Sequence, residues 1–367
     1  MARNHRLIKA VTGAAISAVM LAGIAPLKAL AQDYSSINIF GDSLVDSGNL
    51  FTLTGLPPSP PYAQKISNGS IWVESLADAL GLSPALSAEV LPGISAGVLP
   101  PADGINFALA GSLSSDINVG GDPLTGLQQQ IAAYQAIAPL APPTADSLFV
   151  LLAGGNDYNQ ALLDPNLLPT ELQALPDQVT NNLTAAATGL INSGAKNLLI
   201  VNLPDLGEQP LAQQLNLLAP ESDKILTQLS TDHNSLLEQK LAALEAATGA
   251  NIIGLDLNGL VQKITSDPAS FGFTNVSEAC LTNAQPGFVF EGVCSNPNEF
   301  VFWDQTHPTE AVHDEVAQLA LDALMPSVNP GQTPQGIPEP SGILSLGLLG
   351  GIASITRKKI AAAREAS

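Results

Sequence analysis

Two hydrophobic rhythms alternate along the chain. Short, nearly continuous apolar runs, several of them β-branched, give way to longer stretches in which apolar residues return every third or fourth position. The first rhythm belongs to strands covered on both faces, the second to helices packed against them. The runs at 36–41, 104–112, 147–153, 197–202 and 251–257 predict five strands. Helical periodicity predicts helices over 71–80, 124–137, 167–193, 220–248, 258–264 and 309–324, the last with Thr309 as its N-cap. Strands separated by helices imply an α/β layer fold with a mainly parallel five-stranded sheet. The segment 57–61 is too proline-rich for helix or central strand, and 271–303 reads as an extended loop. There is no internal repeat.

The strand ends carry the polar residues. The first strand stops at Gly41, and Ser43 follows at the sheet edge where ligands bind in open α/β sheets. The second and third strands run into Gly111 and Asn156, and Asp304 and His307 precede the last helix. An ester hydrolase needs a nucleophile, a base, a group that orients the base and donors aimed at an oxyanion. Ser43, His307 and Asp304 supply the first three. The backbone N–H groups of Ser43 and Gly111, with the Asn156 amide, supply the donors. Asp42 and Asp46 read as structural supports of the turn. His233 and His313 fall in helical patterns without nearby partners and read as surface residues.

The ends change the picture. Residues 1–31 combine Arg3, Arg6 and Lys9 with an apolar run and Ala29-Leu30-Ala31, the pattern of a secretory signal peptide; a retained anchor is the alternative. A Pro/Gly-rich linker at 326–337 leads to Pro338-Glu339-Pro340, a short apolar run and Arg357-Lys358-Lys359. This tail resembles the PEP-CTERM sorting signal of bacteria. The resemblance implies export and sorting machinery as partners, membrane contact through 338–367 and release to the cell surface or the extracellular matrix. A simple C-terminal anchor is the other reading.

With both ends removed, the body of 32–325 keeps five lysines and no arginine against 31 acidic residues, a net charge near −26. Nucleic acid is excluded as a partner, because phosphate contacts need basic side chains. Arginine-fork recognition of phosphate monoesters is excluded with it. Cys280 and Cys294 fit one disulfide in an oxidising compartment, with two free thiols or a metal site as weaker options.

Four blocks then carry a family resemblance. The segment from Phe40-Gly41-Asp42-Ser43 to Asn49, then Asn106-Phe107-Ala108-Leu109-Ala110-Gly111, Gly154-Gly155-Asn156-Asp157 and Asp304-Gln305-Thr306-His307-Pro308 resemble, in order, the blocks of the GDSL (SGNH) esterase/lipase family. Ser67-Asn68-Gly69-Ser70-Ile71-Trp72-Val73-Glu74 is similar to a further stretch of its larger members. The second block departs slightly, with Ala110-Gly111 where the family often has two glycines. The resemblance implies a flavodoxin-like three-layer α/β/α sandwich and hydrolysis of carboxylic esters of lipids, acylated small molecules or polysaccharides without metal or cofactor. Three alternatives stay open: an exopolysaccharide O-acetylesterase, a non-catalytic matrix protein, and a metal-dependent phosphohydrolase using Asp42, Asp46, Asp157, Asp304 and His307.

Overall fold

The computed structural model describes residues 34–325, apart from 120, 122–124, 165 and 284–287. The expected signal peptide, linker and sorting segment lie outside the described residues. Among the described residues no helix is long and apolar enough to cross a membrane.

The central sheet is parallel and has six strands, not five. They are β1 (Ser36–Gly41), β2 (Ala85–Leu86), β3 (Ile105–Asn106), β4 (Ser147–Leu152), β5 (Asn197–Val201) and β6 (Asn251–Leu255), in the order β2-β3-β1-β4-β5-β6. The added strand is a two-residue edge piece directly after Pro84. It is too short to show a period, and proline is compatible with an edge. β3 is shorter than its apolar run, but the chain beyond it stays extended beside β1: Phe107 N–H donates to Ile39 O and Leu109 N–H to Gly41 O.

β4 is buried at every residue, as a central parallel strand must be. Each such Leu or Val contributes about 1.5–3 kcal/mol by leaving water. Beneath the end of β1, Phe40 stacks on Phe107 with ring centres 5.1 Å apart, and Tyr134 meets both rings edge-on.

The helices are α1 (Asn49–Thr54), α2 (Trp72–Leu80), α3 (Ser87–Ser95), α4 (Leu127–Ile137), α5 (Gly155–Leu163), α6 (Pro169–Asn192), α7 (Pro210–Leu218), α8 (Ser222–Thr248), α9 (Leu257–Ser266), α10 (Pro268–Phe271) and α11 (Glu310–Leu324). The connections β3→β4→β5→β6 all step the same way, so right-handed crossovers put α4, α6 and α8 on one face, where α6 packs on both others. α2, from the connection that steps the other way, packs on α11. The stepping direction reverses between β1 and β4, and their ends Gly41 and Leu152 are paired. This is the topological switch point at which α/β sheets open a crevice.

The stretch 271–303 is more structured than a loop. β7 (Asn275–Ala279) pairs in parallel with β10 (Phe300–Phe302), and β8 (Leu281–Thr282) forms a hairpin with β9 (Gly292–Val293). Cys280 and Cys294 are joined by a disulfide. Cys280 and Leu281 share a small second core with Tyr62, Ile66, Ala110 and Trp303. These pairings cross long sequence distances, so local patterning does not announce them.

Candidate active site

Gly41 turns the chain at φ 143°, and a side chain there would strike the carbonyl of Leu152. Asp42 N–H still donates to Leu152 O at 3.2 Å, so the ladder ends one residue before Ser43. Gln130 of α4 holds the turn from both sides. Its Oε1 accepts from Gly41 N–H and its Nε2 donates to Gly41 O, each at 2.8 Å. Asp46 gathers the N–H groups of Gly48, Asn49, Leu50 and Ala110. Asn49 in turn donates to Asn106 O and Ala108 O. These buried polar groups are satisfied by one another, and they tie the Ser43 turn to the Gly111 segment.

His307 reaches this turn from the other end of the chain. Its Nε2 lies 2.8 Å from Ser43 Oγ, and its Nδ1 lies 2.7 Å from Asp304 Oδ1. Asp304 Oδ1 also accepts the N–H groups of Thr306 and His307, which closes a tight turn. Thr309 takes the N-cap position of the next helix, α11, as expected, but its side chain makes no capping bond. Thr309 turns its hydroxyl to Phe300 O, and Asn68 Oδ1 accepts the first N–H of α11, that of Glu310, at 2.8 Å. Ser67 Oγ donates to Pro308 O. The block around Ser67 and Asn68 therefore anchors the histidine segment.

Asn156 opens α5 beside the Ser43 turn, and its Nδ2 donates to Ser112 O at 3.1 Å. Past Leu109 the chain turns, with Gly111 at φ 83° and Ser112 N–H donating to Leu109 O. Gly111 does not line the adjoining cavity, whereas Ser43, Asn156 and His307 do. That cavity measures about 880 Å³ with its open mouth included, and its wall is mostly apolar, with Trp72, Leu203, Leu206, Leu257, Val261 and Phe302.

Burial and charge compete at each titratable group. Burial works to lower His307, but the Asp304 carboxylate, with help from Asp42, raises it above the ordinary histidine value. Burial works to raise Asp304, and the imidazole and two backbone N–H groups win, holding it low. Asp42 accepts Leu44 N–H, yet burial pushes it up to about 7; Asp157 rises to about 6 despite two bonds from Ser114. His233 and His313 are corrections to the sequence reading, since both are buried rather than at the surface. His233 Nδ1 meets Tyr158 OH at 2.8 Å, and His313 lines the cavity; burial pushes each down to about 3, so both are neutral. The helical stripe hid them because a neutral imidazole packs as an apolar residue does.

The carboxylates grouped by the phosphohydrolase alternative have other work. Asp46 is filled by four backbone N–H groups, Asp157 by Ser114 and Asp304 by the histidine turn.

A family model described as GDSL-like Lipase/Acylhydrolase matches residues 37–320, from β1 into α11. The chain belongs to this family. GDSL membership makes it a carboxylic ester hydrolase. Thermolabile hemolysin of Vibrio parahaemolyticus is 29% identical over 297 residues, with 77% of this chain and 62% of the hemolysin covered. GDSL esterase/lipase 5 of Arabidopsis thaliana is 26% identical over 325 residues, covering 78% of this chain and 82% of the relative. Phosphatidylcholine-sterol acyltransferase of Aeromonas hydrophila is 27% identical over 351 residues, covering 82% and 95%. Within this GDSL chain, sequence reasoning missed Gln130 and Tyr62. Neither falls in a quoted block, and a glutamine in a helix or a tyrosine after prolines gives no signal of its partner.

Proposed function

We propose that this chain is a serine esterase or lipase acting on carboxylic esters with apolar acyl groups. The observation that carries the reading is the line Ser43 Oγ, His307 Nε2, His307 Nδ1, Asp304 Oδ1, with contacts of 2.8 and 2.7 Å, at the mouth of an apolar cavity. Ser43 Oγ attacks the ester carbonyl while His307 Nε2 takes its proton. The alcohol leaves with that proton, and water, activated by the same imidazole, releases the acid and restores Ser43. Asp304 holds Nδ1–H, so that Nε2 faces the serine as the acceptor.

The oxyanion that forms in each half-reaction is received by the N–H groups of Ser43 and Gly111 and by Asn156 Nδ2. One such donor typically lowers the barrier by about 2.7–4 kcal/mol. The Cys280–Cys294 disulfide supports work outside the reducing cytoplasm, in line with the signal-like start and the sorting-like tail.

The test is a series of p-nitrophenyl esters from acetate to palmitate, with Ser43→Ala alongside. Turnover that rises with chain length and disappears in the variant is expected. Turnover confined to acetate moves the assignment to an O-acetylesterase of exopolysaccharide. Turnover that does not depend on Ser43 overturns it.

A further inference from the structure

The proline-rich segment ahead of α2 sends one buried side chain toward the histidine turn. Tyr62 is 4% exposed, and its hydroxyl donates to Asp304 Oδ2 at 3.0 Å. We infer that Tyr62 is a positioning residue for ester hydrolysis: it fixes the Asp304 carboxylate, and a disulfide-closed hairpin holds Tyr62 in place. The inference rests on the Ser43–His307–Asp304 reading proposed above.

The two carboxylate oxygens are fixed from different directions. Oδ1 takes Thr306 N–H, His307 N–H and the nearer Nδ1 contact, all from its own turn. Oδ2 lies 3.0 Å from Nδ1, and its other partner is the Tyr62 hydroxyl, which arrives from 242 residues earlier in the chain. Bonds to Oδ1 brace the carboxylate from its own turn only. A bond on Oδ2 from a fixed ring braces it from the opposite side and shares the negative charge that His307 feels.

The ring is fixed by aromatic contacts. Tyr62 meets Trp303 edge-on at 6.0 Å and Phe288 edge-on at 5.5 Å. Trp303 directly precedes Asp304. Phe288 belongs to the hairpin closed by Cys280 and Cys294, and Cys280 N–H and Leu281 N–H donate to Phe302 O and Trp303 O. The disulfide thus braces the wall behind the carboxylate. Burial and the neighbouring Asp304 raise Tyr62 well above the ordinary phenol value, so it remains a donor wherever an esterase operates.

The titratable groups facing His307 are Asp304 from its own turn, Asp42 from the turn after β1, and His313 from α11, which is neutral and itself faces Lys65. Removing the Tyr62 hydroxyl changes none of these partners. It leaves more charge on Asp304 toward the imidazole, so His307 holds its proton to higher pH.

The experiment uses the whole chain with Tyr62→Phe, Phe288→Ala and Ser43→Ala. It measures kcat and KM on p-nitrophenyl butyrate from pH 5 to 9, and the low-field proton resonance of His307 Nδ1. Tyr62→Phe keeps the ring contacts and is expected to lose about tenfold in kcat. KM should stay within about twofold, the acid limb of kcat should move up by about half a pH unit, and the Nδ1 proton should shift downfield. Phe288→Ala should move the same quantities the same way by less, and it decides the matter if Tyr62→Phe does not fold. A Tyr62→Phe enzyme with unchanged kcat, acid limb and proton resonance means that the tyrosine only fills space and overturns the inference. So does a loss confined to KM, which places Tyr62 against substrate instead. If wild type shows no Ser43-dependent turnover, the proposed function fails, while the Nδ1 resonance still reports whether Tyr62 governs Asp304.

Discussion

Ser43 and His307 meet at 2.8 Å, but the structures behind them are fixed by different kinds of bond. The serine side rests on a central sheet. β1 pairs with β4 residue for residue up to Gly41, and Gln130, Asp46 and Asn49 satisfy the backbone groups that the turn exposes. The histidine side rests on a short turn around Asp304 at the end of a segment with little sheet of its own. It is held by a small aromatic core, a disulfide and the Asn68 cap. Damage to the first side therefore shows as lost folding stability. Damage to the second shows as lost turnover in a chain that still folds.

The largest effect that tests this contrast is on the histidine side. Asp304→Asn should lower kcat by about 10⁴-fold, because the amide favours the wrong imidazole tautomer. Steady-state ester hydrolysis measures it. Retained turnover would mean that Thr306 Oγ1, 3.0 Å from Nδ1, holds the ring instead.

Gln130→Leu tests the serine side. It strands the Gly41 N–H and leaves Gly41 O with Leu109 N–H alone, so the unfolding midpoint in urea should fall by an amount worth roughly 1–3 kcal/mol. A variant as stable as wild type would show that the sheet alone holds the turn.

Asp42→Asn probes the place where the two sides touch, and its effect is the smallest. Loss of the negative charge facing His307 should move the acid limb of kcat/KM down in pH by a few tenths of a unit. Stability carries the opposite sign of charge effect. With Asp42 pushed from 3.8 to about 7, its contribution is full below pH 3.8 and is lost as pH rises through 7. The Asn variant lacks that loss, so its Tm should gain on wild type across this window. A difference that stays constant with pH would show that the carboxyl is not buried as described.

Legibility followed the same division. The strands and most long helices could be read from periodicity, because burial on both faces of a parallel sheet leaves no choice but continuous apolar runs. Ser43, Asn156, Asp304 and His307 stood out because polar residues at strand ends and before a helix interrupt that pattern. β2, at two residues, was too short to carry a period. α5 begins at Gly155, and α3 carries Pro92, so propensity spoke against both. His233 and His313 were misread because their burial depends on which helices pack over them.

By itself, then, the sequence determined the layer fold, the family and the residues with the chemistry to attack an ester. These are properties of composition and local order. Tertiary structure alone decided that Gln130 grips Gly41, that Asn68 accepts the first N–H of α11 while the Thr309 hydroxyl turns to Phe300, and that Tyr62 reaches Asp304. Each of these bonds joins residues dozens to hundreds of positions apart. Nothing in a short window encodes such a partner, and it exists only once the sheet and the aromatic core have brought the two ends of the chain together.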